Sequence, residues 1–120
     1  MIEQGIPALF ASIAPAHPLF KPESTGYPVI SFRLISRLEG LTHDGPDGLV
    51  RYHYQFTVHA ATNMESETMR GQIISALRDV KNNLVGGVLV SYVEITNAIT
   101  IGYIFEAWQS SVDATFNARE

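Results

Sequence analysis

The side chains here with the reach and chemistry to build a site are four histidines, a few arginines and a late pair of serines. His17, His43, His53 and His59 are the candidates for metal binding or proton transfer. A helical metal pair needs His at i and i+4, as in His-Glu-x-x-His, and no such spacing occurs. His53 and His59 share one face of an alternating run, but the strand between them spans roughly 20 Å, too far for one metal. Asp44 and Asp47 in "DGPDG" lack the regular oxygen spacing and closing Glu of a calcium loop. With Gly45, Pro46 and Gly48 they read as turn residues. "VGGVLV" has no G-x-G-x-x-G and is not a nucleotide loop. Ser110 and Ser111 have no nucleophile-elbow context. Trp108 beside Glu106 suits half of a ligand site, or else core or subunit contact. Arg33, Arg37 and Arg51 are placed on one polar face, Arg37 close to Arg51. Glu39 or a carboxylate from another subunit would have to answer that like-charge pair. No residue is assigned a catalytic, cofactor-binding or metal-binding role. The expectation is a protein that is not an enzyme and holds no cofactor.

The elements that position these groups follow from periodicity. Ile2, Ile6, Leu9, Phe10 and Ile13 recur at helical spacing, which predicts a helix over about 5–14, with Pro7 in its first turn and Pro15 and Pro18 ending it. Residues 15–28, "PAHPLFKPESTGYP", are a Pro-rich connector. From Val29 to Leu38 the chain alternates, with Ile30, Phe32, Leu34 and Leu38 inward and Ile35 out of phase. "EGLTHDGPDG" turns it. Val50, Tyr52, Tyr54, Phe56, Val58 and Ala60 then face a core, and Arg51, His53, Gln55, Thr57 and His59 face away. Pairing the two runs keeps even with even, which predicts an antiparallel hairpin. Thr62 opens a helix, with Glu65 completing a capping box. Met69, Ile73, Ala76, Leu77, Val80 and Leu84 line its apolar face, and Asn82, Asn83, Gly86 and Gly87 end it. Residues 85–96 and 99–112 read as two strands joined at Asn97-Ala98, and 113–120 as a flexible polar tail. The resulting expectation is one α+β domain over 1–120, in the order α-β-β-α-β-β. It has a four-stranded antiparallel sheet with two helices on one face.

Composition narrows the function classes. A chain of 120 residues that is 46% hydrophobic and 17% charged is globular rather than disordered. A net charge of −4 argues against a dedicated nucleic-acid binder. With no cysteine there is no disulfide framework, thiolate site or Cys nucleophile. No run approaches the roughly 18 apolar residues of a membrane span, and "MIEQGIPALFASIAPAHP" lacks the basic start of a signal peptide. Tyr52, Tyr54, Tyr103 and Trp108 give more aromatic strand surface than a lone domain of this size easily hides, which points to partner contacts.

The run "LTHDGPDGLVRYHYQFTVHAATNMESETMRGQIISAL" resembles the tail-completion, or tail-terminator, proteins of long non-contractile-tailed bacteriophages and prophages. The matching positions are Asp44, Gly45, Pro46, Gly48, Leu49, Gln55, Ala60, Thr62 and Leu77. The element order agrees along nearly the whole chain, and "MIEQ" before an apolar helix fits as well. The sequence departs at His53, where the family often has Arg, at Thr57, where it often has an acidic residue, and in its extra prolines, Pro7 among them.

The resemblance implies a virion structural protein that forms a ring, usually a hexamer. The ring caps the tail tube, ends its polymerisation and provides the head-joining surface. The implied partners are other copies of the chain, the major tail tube protein and a head-completion or connector protein. DNA would pass through the lumen without specific binding, and no membrane is involved. The implied location is the neck end of the virion tail, after assembly in the host cytoplasm. Two other readings stand beside it. One is a different head–tail connector, such as a head-closure protein. The other is a small dimeric α+β ligand-binding or isomerase-like domain, which would need Arg33, Arg51, His53 and Trp108 to converge.

Overall fold

A computed structural model describes residues 2–18, 28–42, 45–104 and 107–119. His43, Asp44, Glu106 and most of the Pro-rich connector lie outside the described residues. The elements are helix α1 (Ile2–Leu9), strands β1 (Ala16–Pro18), β2 (Val29–Thr42) and β3 (Gly45–Ala60), helix α2 (Asn63–Arg78), and strands β4 (Lys81–Val85), β5 (Val88–Ile104) and β6 (Ala107–Arg119).

The sheet corrects the expected four-stranded antiparallel arrangement. It has six strands in the order β1-β2-β3-β6-β5-β4. It is mixed, because β1 runs parallel to β2, and it curls into a half-barrel with two short helices. The two additional strands sit at its edges. Directly after Pro15, whose carbonyl accepts from the Ile30 amide at 2.8 Å, the chain lays Ala16, His17 and Pro18 beside Ile30, Ser31 and Phe32. Three residues are too few to show a period, which is why this stretch read as connector.

The β2–β3 hairpin has the expected register, with Ile30 opposite Val58, Phe32 opposite Phe56 and Leu34 opposite Tyr54. The register then shifts between Leu34 and Ser36, and the extra residue is Ile35, the one out of phase in sequence. Beyond this bulge Arg37 lies opposite Tyr52, on the core side of the sheet. Leu34 and Leu38, expected in the core, are exposed.

The second half differs more. Asn97-Ala98 is not a turn, because β5 runs straight through it. The register shifts between Ile95 and Asn97, and Asn97 Oδ1 accepts from the Ala98 amide at 3.0 Å. The local bond that makes Asn a turn former here shapes a bulge. Residues 113–119, expected as a flexible tail, form the far half of β6 between β3 and β5. Ala114, Phe116 and Ala118 are buried there, alternating with Asp113, Thr115 and Asn117.

Helix α2 starts as expected, with Glu65 N donating to Thr62 Oγ1 at 3.1 Å. It ends earlier, at Arg78, with Asp79 as its cap. Asn82 takes a positive φ of 53°, and Lys81–Val85 pair with β5. Leu84, expected on the helix's apolar face, is 71% exposed on β4. Gly86 and Gly87, at φ 58° and 82°, form the two-residue β4–β5 turn, whose sign pattern needs glycine. Helix α1 spans Ile2–Leu9 rather than 5–14, with Pro7 inside it.

The core lies on the face of Tyr54, Phe56, Val112 and Phe116. Phe10 meets Phe56 edge-on at 5.2 Å between ring centroids, and Tyr54 meets Phe116 at 5.6 Å. Met69, Ile73 and Leu77 of α2 join the same cluster. Each such side chain contributes about 1.5–3 kcal/mol through removal from water. The molecule is long, 51 × 24 × 22 Å, with its length set by strands of 16 and 17 residues.

Both outer edges of the sheet are stepped. β1 covers β2 only at Ile30–Phe32, and β4 covers β5 only at Val88–Tyr92. Among the described residues, no strand lies beside the rest of β2 or the rest of β5.

Candidate functional site

The polar face is built from strand alternation. On β3 it carries Arg51, His53, Gln55, Thr57 and His59, and the unbroken β3–β6 register extends it across β6. Asn117 lies opposite Arg51, Thr115 opposite His53, Asp113 opposite Gln55, Ser111 opposite Thr57 and Gln109 opposite His59. β5 adds Asn97 beside Asp113 and Glu94 beside Thr115. β2 adds Arg33 opposite Gln55 and Ser31 opposite Thr57.

Several pairs on this face are satisfied. Arg33 Nε donates to Gln55 Oε1 at 3.1 Å, and Ser31 Oγ and His59 Nε2 are 3.0 Å apart. Gln55 is half-buried rather than fully exposed or fully enclosed. Four further atoms on the two central strands are buried and make no hydrogen bond: His53 Nε2, Ser111 Oγ, Asp113 Oδ1 and Asn117 Nδ2.

The expected cluster of arginines does not form. Arg37 has crossed to the other face, where its Nε donates to Tyr52 Oη at 3.4 Å and its guanidinium lies 5.6 Å from the ring centroid. Arg51 stays on the polar face opposite Leu38. The bulge at Ile35 separates them, a shift the sequence signalled by that residue's phase. The Glu39 side chain, once a candidate counter-charge, lies outside the described side chains.

Nor do the residues of a ligand site converge. Trp108 pairs with Ala60 on the core face, against Tyr103 at 5.5 Å, so the sheet separates it from His53. Arg33 and Arg51 lie several rows apart along it. Two open grooves, of 410 and 580 Å³, flank α2. The first is lined by Pro28, Met64 and Met69 among others, the second by Ile13, Gly71 and Ser75, and neither by Arg33, Arg51, His53 or Trp108. Among the described residues, no group of three or more His, Cys, Asp or Glu could hold a metal ion. No helix among them is long and apolar enough to cross a membrane.

Ser110 and Ser111 have separate places. Ser66 Oγ of α2 donates to Ser110 Oγ at 2.9 Å, and Ser110 Oγ donates to the Ser66 carbonyl at 3.2 Å, all buried. This pair fastens α2 to the sheet. A second tie is exposed: Glu67 and Arg70 form an ion pair, and both reach Thr100 on β5, at 2.6 and 2.9 Å.

The remaining notable surface is apolar, and sequence reasoning placed part of it in the core. Every residue from Arg33 to Leu38 is exposed, including Leu34, Ile35 and Leu38. On the opposite edge, Ile99, Ile101 and Tyr103 of β5 are exposed, as are Leu84 of β4 and Tyr92 of β5.

No protein-family model matches this sequence, and no curated protein matches it. Among solved structures, the fold is shared with a chain from the virion of the native gene transfer agent (GTA) particle. The TM-score is 0.67 at 13% identity, over 98% of this chain and 90% of that one. At that identity the likeness is one of fold: this chain shares its fold with a component of that virion particle.

Proposed function

We propose that this chain is a structural protein of a phage-like virion. On our reading it acts at the neck end of the tail, where a ring of copies caps the tail tube, ends its polymerisation and presents the surface that joins the head. The observation that carries this reading is the fold shared, over 98% of the chain, with a chain of a gene transfer agent virion. The Asp44-Gly45-Pro46 run, Gln55 and the Thr62 helix start support the tail-terminator assignment within that class. The chemistry is that of surfaces: a polar face and exposed apolar residues at both edges, with no catalytic role assigned. Assembly takes place in the host cytoplasm, and DNA crosses the lumen unbound. A net charge of −4 leaves little basic surface to displace the counterions of a polyanion.

The test has two arms. Purified chain is mixed with tail tubes and imaged by negative stain; rings are expected at tube ends. The gene is deleted from its phage or prophage; overlong or headless tails are expected. Normal tail length with normal joining would reject the assignment. Binding to portal-containing heads instead of tubes would favour a head-closure protein.

A further inference from the structure

The outer side of β5 is its own complement. β5 pairs with β6 from Leu89 to Ile104, but β4 covers its other side only at Val88–Tyr92. Among the described residues, no strand lies beside Asn97–Ile104 on that side. The undescribed residues 19–27 join β1 to the start of β2, at the opposite edge of the sheet. At the end of β5, Ile104 pairs with Ala107 of β6. Every residue from Thr96 to Ile101 is exposed, so this stretch stands clear of the core on both faces.

Between the register shifts at Ile95/Asn97 and Thr100/Gly102, the segment Asn97–Thr100 is regular. Such shifts block long edge pairing and leave a short stretch fit for it. Its two faces differ. Ile99, 46% exposed, lies opposite Ser111 on the polar face. Ala98 and Thr100 lie opposite Val112 and Ser110, on the face that α2 packs against. There Glu67 Oε1 accepts from Thr100 Oγ1 at 2.6 Å, and Arg70 donates to the same hydroxyl at 2.9 Å. One acid and one base are thus held at the same point of the edge. A patch of that kind answers an inverted copy of itself.

We infer that two free copies of this chain pair through Asn97–Thr100, about a two-fold axis at Ile99. The strands add antiparallel and exchange main-chain hydrogen bonds. Ile99 meets the partner's Ile99, and Ala98 of each copy lies opposite Thr100 of the other. The two Thr100 residues then stand roughly 8 Å apart, from strand rise and spacing. That brings Glu67 of each copy toward Arg70 of the other, so the charges match twice. The occupant is a second copy because the contact is self-complementary: apolar against apolar on the axis, acid against base beside it. Neighbours in a head-to-tail ring are not related by such an axis, so this contact is independent of the ring reading. It covers, in the unassembled chain, an edge that would otherwise accept strands indiscriminately.

The chain has no cysteine, so Ile99→Cys reports cleanly. Residues directly opposite in an antiparallel pair lie roughly 4.5–5.5 Å apart, within disulfide reach. Mild oxidation of that variant alone should give a covalent dimer, and Gln72→Cys, exposed on α2, should give none. Sedimentation equilibrium then measures pairing of the unmodified chain and of charge variants with unchanged circular dichroism. Glu67→Lys makes one patch wholly basic, and Arg70→Glu makes another wholly acidic. Each alone should pair at least tenfold more weakly than the unmodified chain, because like charges now meet across the axis. An equimolar mixture of the two should restore the pairing. A mixture no tighter than its components overturns the contact. So does an unmodified chain that stays monomeric at every concentration, or an Ile99→Cys variant that cross-links no faster than Gln72→Cys. Rings on tail tubes without the covalent dimer overturn the pairing and leave the ring reading standing; the covalent dimer without rings does the reverse.

Discussion

Gly5 of α1 lies against Gly86 in the β4–β5 turn so closely that a Cβ added at Gly5 would stand 2.2 Å from the Gly86 nitrogen. Two of the three nearest neighbours are backbone atoms of Gly86 and Val85, which cannot move aside as a side chain can; the third is Val85 Cγ1. The helix and the turn are thus docked through the smallest residue available.

Gly5→Ala is therefore expected to lower stability by about 1–3 kcal/mol, as overpacking does. Gly71→Ala is its counterpart. A Cβ at Gly71 meets nothing within 4 Å, on an exposed position of α2. That change should raise stability by about 0.5–1 kcal/mol through helix propensity. Thermal or urea unfolding of the two variants checks the opposite signs.

The Ser66–Ser110 pair predicts a non-additive cycle. Ser110→Ala leaves the Ser66 hydroxyl buried without its acceptor and should cost about 1–3 kcal/mol. In the double variant Ser66→Ala with Ser110→Ala, no orphan hydroxyl remains. Its loss should be smaller than the sum of the two single losses. Additive losses would mean that the two hydroxyls do not depend on each other.

Removing residues 113–120 should abolish folding, because it strips half of a central strand from β3 and β5. Phe116→Ala, the milder version, should cost about 3–5 kcal/mol. A truncated chain with native circular dichroism would return this segment to the status of a loose tail.

At the start of α2, Thr62→Ala should cost about 0.5–2 kcal/mol through loss of the bond to the Glu65 amide. Glu65 Oε1 is itself buried without a partner, so that oxygen does not return the bond. Glu65→Ala should therefore cost little. Equal losses from the two variants would show that a reciprocal capping box forms after all.

What was legible in the sequence was what alternates strongly. The Tyr52–Ala60 row named a strand, its face and its partner, and Ile35 marked the bulge by falling out of phase. What was not legible has a physical cause in each case. Asn97 forms the same side chain-to-backbone bond in a bulge as in a turn, so the residue type alone favoured the wrong one. Ala114 and Ala118 alternate around Phe116, but alanine is too weakly apolar to announce a buried strand. β1 and β4 are too short for any period, and Asn82 and Asn83 look like a helix end wherever they stand. The polar row was legible as a face. Its extension across β6 was not, because it depends on register with a strand that was read as half tail. The exposure of Leu38 and Leu84 was hidden by the same rule that found the core, since an apolar residue in phase is read as inward.

The position of β6 has one more consequence, for the timing of folding. Every other strand precedes it in the chain, yet it joins β3 to β5 at the centre of the sheet. As the polypeptide leaves the ribosome, the β2–β3 hairpin can form on its own, but its inner edge stays open until Ala107–Arg119 have emerged. Pairing across such sequence distance is slow, and open edges invite other chains. The protein should therefore need its last strand before it is safe from aggregation. Nascent chains stalled before Trp108 should be held by chaperones, and chains released past Arg119 should leave them.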